Sequence, residues 1–346
     1  MIANSEPTNY SLKQDRLAQK SQDLDLKSTR SDSMPALQLG VLDIGLITPG
    51  KTAANVIQET LSSVSLADSL GYSRYWLTEH HDPGFAWASP EIMLTLIARQ
   101  SDRIRIGTAG ILLYFYSPLR IAEIVRLLEV LYPQRIDLGI TSGIADKATI
   151  KALAVNFDLQ QALKNNLYDE KVTKLIDFLT NNFPANHHFA AGATPTMSEV
   201  PPIWLMGAGK GRNLRLAAEK GTAFSYSLYH AFSKQEPQVL QEYRSRFQPN
   251  SRLSEPKCNL AVSVVCGETE AEAKKQQILV EKIDRTSRVN VVGTPEQCQE
   301  QLLEIQHQYQ VSEIIIISSW HLFARRQSSY QMLSEVLDLP ATKPTP

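Results

Sequence analysis

A glutamate and two histidines stand in a row, Glu79, His80 and His81, in the stretch TEHHDPGFAWASP. Histidine changes charge near neutral pH and can move protons. A neighbouring carboxylate can orient an imidazole or raise its pKa. The same letters also suit a polar strand end with two solvated histidines. A metal site would need further ligands, and the other histidine pair, His187 and His188, falls in a segment read as a loop.

Two glycine-rich stretches suggest anion binding. The first is GLITPGKT, residues 45–52, which matches the Gly-x4-Gly-Lys-Thr spacing of a phosphate-binding loop. The second is GAGKGRN, residues 207–213, with three glycines, Lys210 and Arg212 just before a helical pattern. Freed N–H groups, a helix N-terminus and two cations make a plausible anion site. The alternative is a flexible turn. Its G-x-G lacks the third glycine of a dinucleotide fingerprint. Small residues in GTAGILLYFYSP would let a flat ligand lie against backbone, or would serve tight packing. Tyr114, Tyr116, His230, Trp320 and His321 are candidates for a substrate wall, or simply surface.

These residues need elements to hold them. From residue 38, strand and helix patterns alternate. LQLGVLDIG, SRYWLTE, RIRIGTAGIL, RIDLGI, PPIWLMG, TAFSYSL, KCNLAVSVVCG and SEIIIISSW read as eight strands. Amphipathic stretches separate most of them. Ser89-Pro90 and Ser117-Pro118 are helix-start signals, with serine as N-cap and proline at the first helical position. Alternation of this kind implies parallel strands with crossover helices. Eight repeats predict an α/β fold, a TIM (β/α)8 barrel with loop insertions, with a doubly wound sheet as the other option. In a barrel the chemistry sits at the C-terminal strand ends, where every candidate above lies.

The 346-residue chain has 35 basic and 36 acidic residues and no basic stripe, so nucleic acid is not an expected partner. No apolar run is long enough to span a bilayer. The three cysteines match no zinc or disulfide pattern, and with no secretory signal the expected location is cytoplasmic. Residues 1–37 are polar and mixed in charge, and read as a disordered tail before a single domain over 38–340.

The ordered set LGVLDIG, LGYSRYWLTEHH, RIRIGTAGILL, YSPLRIAEIVRLLEVLYPQRIDLGI, PPIWLMGAGKGRNLRLAAEKG and VGTPEQCQEQLLEIQHQYQVSEIIIIS resembles the bacterial luciferase-like flavin-dependent monooxygenases, over residues 38 to about 337. The resemblance implies a TIM barrel. It implies reduced FMN as co-substrate from a separate flavin reductase, O2 as oxidant and a flavin C4a-peroxide. A small organic molecule would be oxygenated. His80 matches the catalytic histidine. Ala109 and Gly110 match a site that often carries a non-proline cis peptide beneath the flavin ring. Gly207, Ala208, Gly209, Lys210, Gly211 and Arg212 match a phosphate-side segment, with Thr141 and Ser142 beside it. Glu79 and His81 would join the substrate side. Many relatives form dimers through the helices after strands two and three, so a homodimer is expected.

Two departures matter. Relatives often have arginine after strand four, where this chain reads GITSG and has Ser142. Relatives also often have serines where Ala208 and Gly209 stand. Losing an arginine should weaken phosphate binding, unless Lys210 or Arg212 compensates. Two other readings follow: a deazaflavin-dependent hydride-transfer enzyme, or a non-catalytic flavin-binding partner subunit. GLITPGKT becomes the loop after strand one. The strand EIIIISS ends in serines rather than an acidic magnesium ligand, so Lys51 is expected to be solvated at the rim.

Overall fold

Strand β1, Gln38–Asp43, is buried from its second residue to its last. A strand hidden on both faces must lie between a core and a covering layer, as in parallel α/β architectures. The computed structural model describes residues 34–154, 157–190, 192–283 and 285–341. The expected tail, up to residue 33, lies outside the described residues.

The strands that follow are β2 (Arg74–Leu77), β3 (Arg105–Thr108), β4 (Ile111–Leu112), β5 (Ile136–Thr141), β6 (Ile203–Gly207), β7 (Ala223–Ser227), β8 (Cys258–Cys266), β9 (Val291–Gly293) and β10 (Glu313–Ser318). All pairings are parallel. The ring runs β1-β2-β3-β5-β6-β7-β8-β10 and closes where Gln38 of β1 meets Glu313 of β10. This is the eight-stranded barrel that the alternation predicts. The expected strand RIRIGTAGIL is broken at Ala109-Gly110 into β3 and β4, and β4 pairs with β5; the short β9, which was not expected, pairs alongside the end of β8.

The main crossover helices are α1 (Ala53–Ser69), α2 (Pro90–Arg99), α3 (Pro118–Leu131), the short α4 (Lys147–Leu153) and α5 (Leu159–Lys164), then α6 (Leu167–Thr180), α7 (Arg212–Lys220), α8 (Gln238–Arg246), α9 (Glu270–Ile283), α10 (Pro295–Tyr309) and α11 (Phe323–Val336). Helix α1 starts with a capping box between Thr52 and Asn55. Ser89 and Ser117 do occupy N-cap positions, but neither side chain bonds its helix. Proline sets the first helical turn at both sites.

The barrel interior holds Leu42, Trp76, Trp204, Met206, Ala223, Ala261, Ile315 and Ile317. At its N-terminal end lies a buried ion network. Arg74 donates to Asp137 at 2.6 Å and to Glu313 at 2.7 Å, and its guanidinium lies over Trp76 and Trp204. This leaves the opposite, C-terminal rim for chemistry.

Candidate active site

Ring order decides which candidates become neighbours. β2, β3, β5 and β6 are consecutive in the barrel. Their C-terminal ends therefore bring His80, Ala109-Gly110, Thr141-Ser142 and the glycine loop from Gly207 onto one arc. Close strand approach is possible because a Cβ on Gly139 would lie 2.0 Å from the Thr108 carbonyl. The Ala109-Gly110 bond is cis, as the resemblance implies. Gly110 is pressed against the Ile140 backbone, leaving no room for a side chain there. Ala109 caps the interior cluster of the barrel.

Glu79 is the hub behind this arc. Its carboxylate accepts Tyr116 Oη at 2.8 Å and the Leu112 N–H at 3.0 Å, and pairs with His81 Nε2 at 2.8 Å. It is buried. The sequence reading put Glu79, His81 and Tyr116 on the substrate side. The structure bonds His81 and Tyr116 each to Glu79, as a buried carboxylate collects its donors locally. Lys171 on α6 braces the same segment, donating to the Tyr114 and Tyr116 carbonyls at 2.5 and 2.9 Å.

His80 lies apart from that hub, its ring stacked on Phe85 at 4.2 Å. Burial lowers its pKa, and His81 and His230 lower it further. His80 is thus kept neutral, with a nitrogen lone pair able to accept a proton.

The glycine loop opens onto α7. Side chains at Gly209 or Gly211 would meet nothing within 4 Å. Gly211 is the N-cap and no side chain caps the helix, so its first N–H groups are unclaimed by a capping side chain. Arg212 Nη1 donates to Tyr114 Oη at 2.6 Å, and its Nε lies 3.5 Å from Asp169. Lys210 faces Glu236 at 3.4 Å. Tyr114 is buried against Phe157 and Tyr168, so it supports Arg212 rather than lining a substrate wall. Thr141 and Ser142 are half-buried on the neighbouring strand end.

Across the mouth lies a cavity of about 130 Å³, partly open to solvent. Leu42, Tyr229, Ile317, Trp320, His321 and Arg326 are among its walls. Trp320 and His321, candidates for the substrate wall, line this cavity. His321 Nδ1 lies 2.8 Å from Gln276 Nε2. His230 stacks between Tyr229 and Phe232 beside this cavity, not in its wall. Asp43, Ser318 and Arg326 also line it, and sequence reasoning missed all three. Their only signal is position: Asp43 and Ser318 end β1 and β10, and Arg326 lies in the first turn of α11. Lys51 is not solvated as expected: it is ion-paired with Glu59 at 2.5 Å, which occupies the cation that a phosphate-binding loop would offer.

A parallel barrel with its polar, cavity-bearing rim at the strand C-termini defines a TIM-barrel enzyme. The model of the luciferase-like monooxygenase family matches residues 37–289, and the chain belongs to that family. It is an oxidoreductase. It is 29% identical over 335 residues to the N-acetyl-S-alkylcysteine monooxygenase of Bacillus subtilis (strain 168), covering 87% of this chain and 98% of that one. The crystal structure of apo-MsnO8 superposes with a TM-score of 0.77 at 27% identity, covering 88% of this chain and 99% of that chain. The oxygenating constituent of 3,6-diketocamphane monooxygenase from Pseudomonas putida, in complex with FMN, shares the fold alone, with a TM-score of 0.69 at 16% identity over 90% of this chain and all of that one.

Proposed function

We propose that this protein is a monooxygenase that takes reduced FMN and O2 and oxygenates a small organic substrate. One observation carries the reading. A break in small residues at Ala109-Gly110 stands on the same arc as an open glycine loop that ends at an uncapped helix with Arg212 held beside it. That arrangement fits a flat ring at one end and a phosphate at the other. Arg212 would supply the charge that Ser142 cannot, and Ala109 would lie against the ring. Bound FMN would supply the activation of dioxygen. His80 would accept or return a proton at the ring or substrate. The apolar walls of the cavity would exclude water.

The family's FMN-bound structural neighbour supports the choice of FMN. Another neighbour, an F420-dependent secondary alcohol dehydrogenase, keeps hydride transfer as a second reading; Ser142 at the arginine position favours the non-catalytic partner subunit instead. We further propose a separate reductase as the source of reduced FMN, a homodimer, and a cytoplasmic location. Among the described residues no helix is long and apolar enough to cross a membrane.

The test is an anaerobic titration with reduced FMN, followed by mixing with oxygenated buffer. Saturable binding and a delayed return of oxidised FMN are expected. Absence of binding would remove the FMN reading and shift it to the deazaflavin enzyme or to a non-catalytic partner subunit.

A further inference from the structure

With Lys51 held by Glu59, the GLITPGKT segment needs another role. It runs beside the loop that follows β2. Leu46 and Phe85 pair antiparallel across the two loops. The Ile47 N–H donates to the Gly84 carbonyl at 2.7 Å, and the Ala86 N–H to the Gly45 carbonyl at 2.8 Å. These backbone bonds flank Phe85 and fix where its ring stands. Both loops are anchored in turn. The Gly45 N–H donates to the buried Asp43 at 2.9 Å, and the buried Trp87 donates from Nε1 to the Thr78 carbonyl at 3.0 Å. Gly45 has a φ of +67°, and a Cβ there would lie 2.7 Å from the Trp87 ring, so the turn requires glycine.

What this pairing holds is a ring on His80. The Phe85 and His80 centroids are 4.2 Å apart and the planes 17° from parallel, so the phenyl covers one face of the imidazole. Burial is the largest influence on His80 and lowers its pKa; His81 and His230 lower it further, and Asp82 raises it. Covering a ring face keeps off the water that would stabilise the charged form. We propose that Phe85 is a positioning residue for His80, and that segment 45–47 is the brace that seats it. Leu46 also lines the cavity, so the brace joins the cavity wall to the histidine. A proton-transfer role for His80 rests on the monooxygenase reading; its seating by Phe85 does not.

An NMR pH titration of the histidine ring signals, on the full-length protein without flavin, tests this. The chain has seven histidines, and His80→Asn identifies the resonance of interest. Its midpoint should lie below 6.5 in the wild type. Phe85→Ala should move the midpoint up toward 6.5 with circular dichroism unchanged, and Phe85→Tyr should leave it at the wild-type position. Gly45→Ala, which disturbs the brace and keeps Phe85, should move it the same way as Phe85→Ala. If Phe85 only fills space, its loss would lower stability and leave the midpoint in place, and the proposal would fall. A downward shift would also overturn it, since the ring would then attract the imidazolium by a cation–π contact rather than shield the imidazole. Should Phe85→Ala not fold, the Gly45→Ala midpoint decides by the same two outcomes. The reduced-FMN titration is separate, so a protein that shows these shifts but binds no FMN would keep this inference and lose the other.

Discussion

His80 and Arg212 carry the residue-scale argument, and each owes its state to neighbours. Desolvation holds the His80 imidazole below the ordinary histidine value of 6.5. If its neutral form accepts the proton, activity should fall only as pH drops below that value. His80→Asn should lower kcat by 10²–10⁴-fold and remove that acidic limb, which a pH profile of kcat will show. The sign for stability agrees. The unfolded chain protonates His80 more readily, so folding weakens as pH falls through 6.5. Arg212 is pre-positioned by Tyr114. Arg212→Gln should therefore weaken reduced-FMN binding at least about tenfold in the anaerobic titration, as expected for one lost charge-assisted bond. Ser142→Arg should change it little. A large gain from Ser142→Arg would mean that Arg212 does not replace the missing charge.

At the scale of elements, the barrel separates stability from chemistry. The ion network sits at the strand N-termini, and the candidate site at their C-termini. Burial alone would raise the Asp137 carboxyl, but Arg74 and Arg105 hold it below its ordinary value. Asp137→Asn takes one of its two carboxylates from the buried Arg74 guanidinium, which keeps Glu313, so unfolding free energy should drop by about 1.5–3 kcal/mol. Urea denaturation measures that loss, and the FMN titration should stay at its wild-type affinity. A drop under about 1 kcal/mol would show the network to be replaceable. The folded-state contribution of Asp137 is present above pH 3.8 and fades as pH falls through its lower, folded value.

At the scale of the whole molecule, α2 and α3 leave an apolar face uncovered. Ile92 and Leu96 are exposed on α2, and Leu127, Val130 and Leu131 on α3. These are the helices after strands two and three, through which the resemblance implies pairing. Large apolar side chains exposed on two successive helices point to an interaction surface. The double change Ile92→Glu and Leu131→Glu should convert a dimer to a folded monomer in analytical ultracentrifugation. A wild-type monomer, or a variant that still pairs, would remove this face from consideration.

What the sequence by itself determined is the periodic part. Alternating strand and helix patterns, Ser-Pro helix starts and the run of motifs point to the barrel, the family and the arc of Ala109, Gly110 and the glycine loop. These follow from local rules: period, turn residues and strand ends. Tertiary structure decided which polar groups are free. Glu79 and Tyr116 look like ligand-facing residues in one dimension, yet they bond each other because β4 brings the Leu112 N–H and the Tyr116 hydroxyl to a buried carboxylate. Arg326, from the last helix, meets Glu59, from the first, only because β10 closes on β1. Hydrogen-bond satisfaction and charge balance depend on contacts between residues far apart in the chain, so they become legible only when the ring is closed.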